Sequence, residues 1–194
     1  MTTLKIIVAS TRPGSSGPAI AGWIARTAWR TDEFDRVEVL DLAEINLPFL
    51  DEPNHPKLGR YTKPHTLAWA REIGTADALV IVTPEYNSGF PAPLKNAIDF
   101  LHAEWKNKAL GVVTYGGGAS GGARAGRMLQ SVTTALGLVT AEHTVAISGA
   151  AGQVVAGEFV PTVADDAAAI AMLTELAGLE ADLGPQRRQP ALAG

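Results

Sequence analysis

Apolar residues recur along this chain in two alternating patterns: short β-branched runs, and longer stretches with an apolar residue every three or four positions. The runs Leu4–Ala9, Val37–Leu42, Ala78–Val82 and Ala109–Tyr115 read as strands, and a fifth lies within Leu138–Ser148. Ala78–Val82 is apolar at every position, the mark of a strand buried on both faces. Between the strands the spacing predicts helices. One starts at about Pro18, with Ile20, Trp23, Ile24 and Thr27 on one side, and another spans about Lys63 to Gly74, with Thr66, Trp69, Ala70 and Ile73 inward. A third follows Pro91 or Pro93, with the stripe Leu94, Ala97, Ile98 and Leu101. A fourth runs from about Ala123 to Leu136, with Ala125, Leu129, Val132 and Leu136 along one side and Gly137 as its stop. The last, Ala-rich, occupies about Thr162 to Leu183. Residues 43–62 carry Pro48, Pro53 and Pro56 and little periodicity, an irregular stretch of a length that is often functional. Residues 1–183 are expected to form a single domain, with 184–194 a flexible tail. Strands alternating with helices predict an α/β fold, a doubly wound five-stranded parallel sheet.

Composition narrows the chemistry. The chain has 194 residues, 46% hydrophobic and 19% charged, with a net charge of −4 and no basic run, so nucleic acid is not an expected partner. No apolar stretch reaches the ~18 residues that a membrane span needs. With no cysteine there is no thiolate nucleophile, and any redox chemistry needs a bound cofactor. Met1 stands just before the first strand, so a cytoplasmic location is the expectation.

Three loops at the carboxyl ends of strands stand out. Ser10, Thr11, Arg12, Ser15, Ser16 and Gly17 join the first strand to a helix N-terminus, where free N–H groups, hydroxyls and one guanidinium suit a phosphate monoester. No Gly-Lys pair is present, so this is not a triphosphate loop. Pro84, Glu85, Tyr86, Asn87 and Ser88 follow the third strand, and Tyr115, Gly116, Gly117 and Gly118 end the fourth. In the strand order 2-1-3-4-5 these three loops share one crevice at the switch point, whereas the order 3-2-1-4-5-6 would scatter them. One loop for a phosphate and two for a flat ring describe a mononucleotide site, with flavin mononucleotide (FMN) as the planar candidate.

At these residues the chain resembles a known family. Ala9-Ser10-Thr11-Arg12-Pro13-Gly14-Ser15, Pro84-Glu85-Tyr86-Asn87 with Leu94-Lys95-Asn96-Ala97-Ile98-Asp99, and Tyr115-Gly116-Gly117 are similar to the signatures of the flavodoxin-like NAD(P)H-dependent FMN reductases. That family includes quinone, azo-dye and chromate reductases. The resemblance spans about Leu4 to Ser148. It implies noncovalently bound FMN, with Ser10, Arg12, Ser15 and Ser16 on the phosphate, Pro84–Asn87 along the isoalloxazine edge and Tyr115–Gly118 flanking the ring. It also implies NADPH or NADH as hydride donor, a small-molecule acceptor such as a flavin or quinone reduced in ping-pong fashion, and self-association as a dimer or dimer of dimers. Phe100, apolar and off the buried stripe, and the pair Lys95 and Asp99 place the expected contact on the third helix. No side chain is assigned as catalytic acid or base; backbone N–H groups of Pro84–Ser88 and Tyr115–Gly118 are expected to supply the dipoles the ring needs.

Three other readings carry less. Gly116-x-Gly118-x-x-Gly121 matches a dinucleotide fingerprint but follows the fourth strand rather than the first. Gly118-x-Ser120-x-Gly122 matches a nucleophile elbow, yet Ser120 does not sit directly off a strand. A flavodoxin-type electron carrier is the rival function, but such carriers are more acidic and lack the Leu-Lys-Asn-x-x-Asp helix.

Overall fold

The structure, a computed structural model, describes residues 1–188. Strands β1 (Thr3–Val8), β2 (Arg36–Asp41), β3 (Ala78–Pro84) and β4 (Ala109–Gly116) form one parallel sheet in the order β2-β1-β3-β4. Beyond β4 run β5 (Val139–Thr140) and β6 (Val145–Ser148), both parallel to it. The order is the 2-1-3-4-5 expected from the loops, except that two short strands share the fifth position. The break at 141–144 has a visible cause. The N–H groups of Glu142 and His143 donate to the Glu175 carboxylate at 2.7 and 2.9 Å, and His143 Nδ1 lies 2.7 Å from the same group. Hydrogen bonds to a charged acceptor outcompete a neutral ladder pair.

Helices α1 (Gly17–Thr31), α2 (Leu42–Ile45), α3 (Pro64–Gly74), α4 (Ala92–Asp99), α5 (Ala123–Ala135) and α6 (Val163–Arg188) follow the strands. Strand alternation divides the core into two. Leu4, Ile6, Val8 and Val80 pack under Ile20 and Ile24 of α1 and Met172, Leu173 and Leu176 of α6. Ile7, Leu79 and Ile81 face Trp69 and Ile73 of α3, Leu94 and Ile98 of α4 and Leu129 of α5. A small antiparallel hairpin, β7 (Val154–Val155) with β8 (Glu158–Phe159), sets Phe159 against Trp23 with ring centroids 5.0 Å apart.

At the end of α4 the last carbonyls run out of i+4 donors, though Ile98 O takes the Leu101 N–H at 3.3 Å. Two buried indoles add to this: Trp69 Nε1 donates to Ala97 O at 2.8 Å and Trp105 Nε1 to Ile98 O at 3.1 Å. Phe100 does not form an outer apolar surface as expected. The helix stops at Asp99, and the turn that follows carries both Phe100 and Leu101 into the core. Lys95 pairs with Asp99 inside the helix at 2.7 Å.

The chain does not fray at Leu183. Helix α6 continues through Gly184 and Pro185 to Arg188 because Arg187 bonds Glu180 at 2.7 Å, Asp77 at 3.2 Å and the Asn107 carbonyl at 3.0 Å. Residues 189–194 of the expected tail lie outside the described residues.

Lys108, 4% exposed at the start of β4, closes the end of α3. Its ammonium donates to the carbonyls of Ile73, Gly74 and Ala76, while burial and then the nearby Arg187 charge push its pKa down to about 8. Lys108→Met leaves the Gly74 and Ala76 carbonyls without this donor, while Ile73 O keeps the Ala76 N–H at 3.2 Å. At about 1–3 kcal/mol for each buried group, urea unfolding is expected to show a loss of about 3 kcal/mol.

Candidate functional site

The first loop leaves β1 at the sheet's carboxyl edge and turns at once into α1. Ser10 is buried, Arg12 is exposed, and Ser15 and Ser16 are half-buried. Ser16 stands at the N-cap of α1 without a capping side-chain bond, leaving donors at the helix start. Gly17 is glycine for reasons of space. A Cβ there would stand 2.9 Å from both the Tyr115 hydroxyl and Val8 Cγ1.

The second loop is a two-residue hairpin. Tyr86 and Gly89 exchange backbone bonds of 2.9 and 3.0 Å around Asn87 and Ser88, whose φ angles are 50° and 67°. Two consecutive positive φ values are the signature of a type I′ turn. The hairpin sends Tyr86 across to the first loop, where its hydroxyl shares a 2.8 Å bond with Ser10 Oγ and accepts from Arg12 Nε at 3.3 Å. Glu85 is committed elsewhere. Its carboxylate accepts the Arg124 N–H at 3.1 Å and an Arg124 guanidinium N–H at 3.2 Å. It thereby caps α5, whose own N-cap is Gly122.

The third loop is pinned at both ends. Gly149 N donates to Gly116 O at 2.8 Å, Ser148 Oγ to Gly118 O at 3.0 Å and Thr114 Oγ1 to Gly121 O at 2.7 Å. Gly121 and Gly122 have φ of 55° and 87°, and a Cβ at Gly121 would come within 2.6 Å of the Ala146 carbonyl carbon. Only glycine lets the loop press this closely on β6.

The loops enclose a cleft of about 380 Å³. Of the candidate residues, Arg12, Ser16, Pro84, Glu85, Tyr86, Tyr115, Gly116 and Gly117 line it. Ser10 and Gly17 are buried, Asn87, Ser88 and Gly118 are exposed, and Ser15 lies beside Gly17. Thr11 turns the other way and lines a neighbouring cavity of about 560 Å³ with Asn46, Phe49, Pro93 and Asn96. Two expectations change. Pro84 has no N–H, and those of Glu85 and Tyr86 are spent on Tyr115 O and Gly89 O, so among the described residues Asn87, Ser88, Gly117 and Gly118 keep N–H groups without partners. Of the Tyr115–Gly118 segment expected to flank the ring, the Tyr115 side chain packs in the core with Val8 and Ile20 and reaches the cleft only at its margin, while Gly116 and Gly117 line it.

Sequence reasoning missed the fourth wall, the turn Gly149-Ala150-Ala151-Gly152, which lines the cleft beyond β6. Its signal was a run of small residues directly after the last strand. It also missed Asn96, which donates to Pro48 O at 2.7 Å and accepts from Leu50 N at 3.0 Å, tying the irregular segment to α4. Among the described residues no group of three His, Asp or Glu side chains is placed to hold a metal, and no helix is long and apolar enough to cross a membrane.

The donors fit a phosphorylated planar molecule: a guanidinium, serine hydroxyls and a helix start at one end, and flat backbone walls at the other. Comparison with known proteins agrees. The NADPH-dependent FMN reductase family profile matches residues 2–152. An NAD(P)H-dependent FMN reductase of Schizosaccharomyces pombe is 43% identical over 120 residues, 61% of this chain and 60% of that protein. An NAD(P)H-dependent FMN reductase of Saccharomyces cerevisiae is 36% identical over 137 residues, 66% of this chain and 71% of that protein. The chain thus spans less than two thirds of the first of these relatives. Among solved structures, the NAD(P)H:(acceptor) oxidoreductase FerB of Paracoccus denitrificans superposes with a TM-score of 0.76 at 22% identity, covering 94% of this chain and 99% of that one, a likeness of fold.

A hydrogen bond to a charged group is worth about 1.5–3 kcal/mol, roughly tenfold to a hundredfold in affinity. Arg12→Ala is therefore expected to weaken FMN by that factor in a titration of the apoprotein and leave riboflavin little changed.

Proposed function

The chain belongs to the NADPH-dependent FMN reductase family, and from that premise we propose that it is an NAD(P)H-dependent FMN oxidoreductase serving a flavin, quinone or similar small acceptor in ping-pong turnover. The observation that carries this reading is the cleft itself, with an anion-binding end at α1 and a flat, backbone-lined end at β3 and β4. FMN bound there would take a hydride from the nicotinamide and pass reducing equivalents to the acceptor. Arg12, Ser10, Ser15 and Ser16 would hold its phosphate. Asn87, Ser88, Gly117 and Gly118 offer N–H dipoles, preorganised by the hairpin and by the pinned glycine loop, to stabilise negative charge on the ring. Glu85 positions α5, and Tyr86 braces the first loop. Neither serves as acid or base.

An electron carrier of the same fold would bind FMN without rapid reduction by a nicotinamide. Anaerobic bleaching of the yellow protein by NADPH within seconds supports the oxidoreductase, and its absence with both NADPH and NADH sinks it. A general acid contributes ~10²–10⁴ in rate, whereas a positioning contact contributes about tenfold. FMN-saturated Glu85→Gln and Tyr86→Phe are thus expected to be reduced within about tenfold of wild type in stopped flow. A thousandfold slower reduction would make either residue a catalyst.

Self-association belongs to the same reading, on a corrected surface. With Phe100 buried, the apolar face beside α4 is Phe49, 85% exposed, and Leu50, which Asn96 holds against that helix. A second copy is the proposed occupant, and a cytoplasmic location accompanies it. Phe49→Asp is expected to convert a dimer or tetramer to monomer in light scattering. A wild-type monomer at micromolar concentration would overturn this contact.

A further inference from the structure

Tyr115 is the side chain for which the proposed function leaves no role. It sits one residue before the end of β4, level with Pro84 on β3 and Ile147 on β6. Strand alternation turns it, like Val113, toward α1, where it joins the cluster of Val8, Ile20 and Ile147. The residue is 6% exposed. A tyrosine buried to that degree nearly always finds a partner for its hydroxyl. This one has none of acceptable hydrogen-bonding geometry among the described residues, although the Ser15 and Ser10 hydroxyls are its neighbours.

Its position is telling. A Cβ on Gly17, the first residue of α1, would stand 2.9 Å from the Tyr115 hydroxyl and 3.4 Å from Ser15 Oγ. The hydroxyl therefore comes up from the core against the start of α1, on the same side as Ser15. Among the described residues the N–H groups of Ser16 and Gly17 at that helix start take no backbone partner. Arg12 and Ser16 line the same cleft. Burial, partly offset by Ser15, raises the hydroxyl's pKa to about 12, so at neutral pH it is a proton donor. The buried Tyr115 hydroxyl and Ser15 Oγ lie together beside the helix start, with Arg12 on the same cleft, and no acceptor among the described residues serves the hydroxyl and the helix start together. A phosphomonoester dianion has three terminal oxygens and fits that need.

We propose that Tyr115 is a phosphate ligand of the flavin, donating its hydroxyl from inside the core to a terminal phosphate oxygen beside Ser15 and the N-terminus of α1. This rests on the reading of the cleft as an FMN site and assigns Tyr115 to the phosphate end rather than to the ring. Gly17 serves the same contact, because any side chain there would separate the hydroxyl from the helix start.

The test is Tyr115→Phe, which keeps the ring and removes the donor. Apoprotein is titrated with FMN and with riboflavin at neutral pH. FMN is expected to weaken about tenfold, the factor for one hydrogen bond to a charged group, while riboflavin stays within about twofold. The melting temperature of the apoprotein should not fall, because the lost hydroxyl has no partner. Equal weakening of the two flavins would move the hydroxyl to the ribityl chain, and unchanged FMN affinity would remove it from the site; either overturns the assignment. Wild-type protein that binds no FMN would overturn the parent reading with it, so the two failures are distinguishable. If Tyr115→Phe does not fold, the wild type carries the test. The chain has three tyrosines, so 3-fluorotyrosine labelling gives three fluorine signals, assigned with Tyr61→Phe and Tyr86→Phe. The Tyr115 signal should move on adding inorganic phosphate, and a signal that stays still while FMN binds overturns the proposal.

Discussion

The hydrogen-bond ladder joining β1, β3 and β4 is the constraint from which the cleft follows. All three strands are buried on both faces, so their backbone groups have no water to fall back on and must pair with each other. Parallel pairing sends every following loop out at the same edge, and the register sets their heights. Val8 lies level with Val82 and Val113, while β3 and β4 run on to Pro84 and Tyr115. The first loop therefore starts two residues lower than its neighbours, leaving a step into which α1 brings its N-terminus. The two tryptophan bonds to the end of α4 anchor the helix that follows the hairpin, so the second loop is held at both of its ends.

Much of this was legible because apolar periodicity reports which face of an element is buried, and the buried faces of α1, α3 and α4 are those the spacing marked. Strand order was readable for a different reason: polar loops needed by one site had to be neighbours. Two of the misses share a physical origin, a partner far away in sequence. The break between β5 and β6 comes from Glu175, more than thirty residues on. The last turn of α6 is held by Asp77 and Asn107 through Arg187. Phe100 points inward because α4 ends one residue before it, and helix boundaries are the least reliable part of a periodicity reading. Within the site, the residue types were visible but their commitments were not. Nothing local shows that Glu85 is taken by Arg124, thirty-nine residues on.

Those commitments shape the electrostatics of the cleft. Glu85 is the acidic residue of the lining, and a free carboxylate there would repel both a phosphate and a ring gaining negative charge. Its pairing with Arg124 and with the start of α5 places that charge where a helix dipole already favours it. Arg12 then acts as the cation of the lining at the α1 end, and the β3 and β4 ends offer neutral dipoles. A molecule with an anionic tail and a flat, electron-accepting head matches that division in one orientation only.

The glycines of the site act through proximity more than through flexibility. At Gly17 a methyl group would meet the Tyr115 hydroxyl and Val8, and at Gly121 and Gly122 it would meet the backbone of β6 and β4. Each removes a side chain so that two backbones, or a backbone and a hydroxyl, can approach closely. The same logic explains why the hairpin uses Asn87 and Ser88 at positive φ. A type I′ turn of two residues is the shortest that reverses the chain without splaying it. That brevity is what lets the Tyr86 hydroxyl reach Ser10 and Arg12 and join the second loop to the first. A longer turn would give the loop more freedom but would uncouple the two ends of the cleft. The N–H groups of Asn87 and Ser88 would then no longer be held in place beforehand.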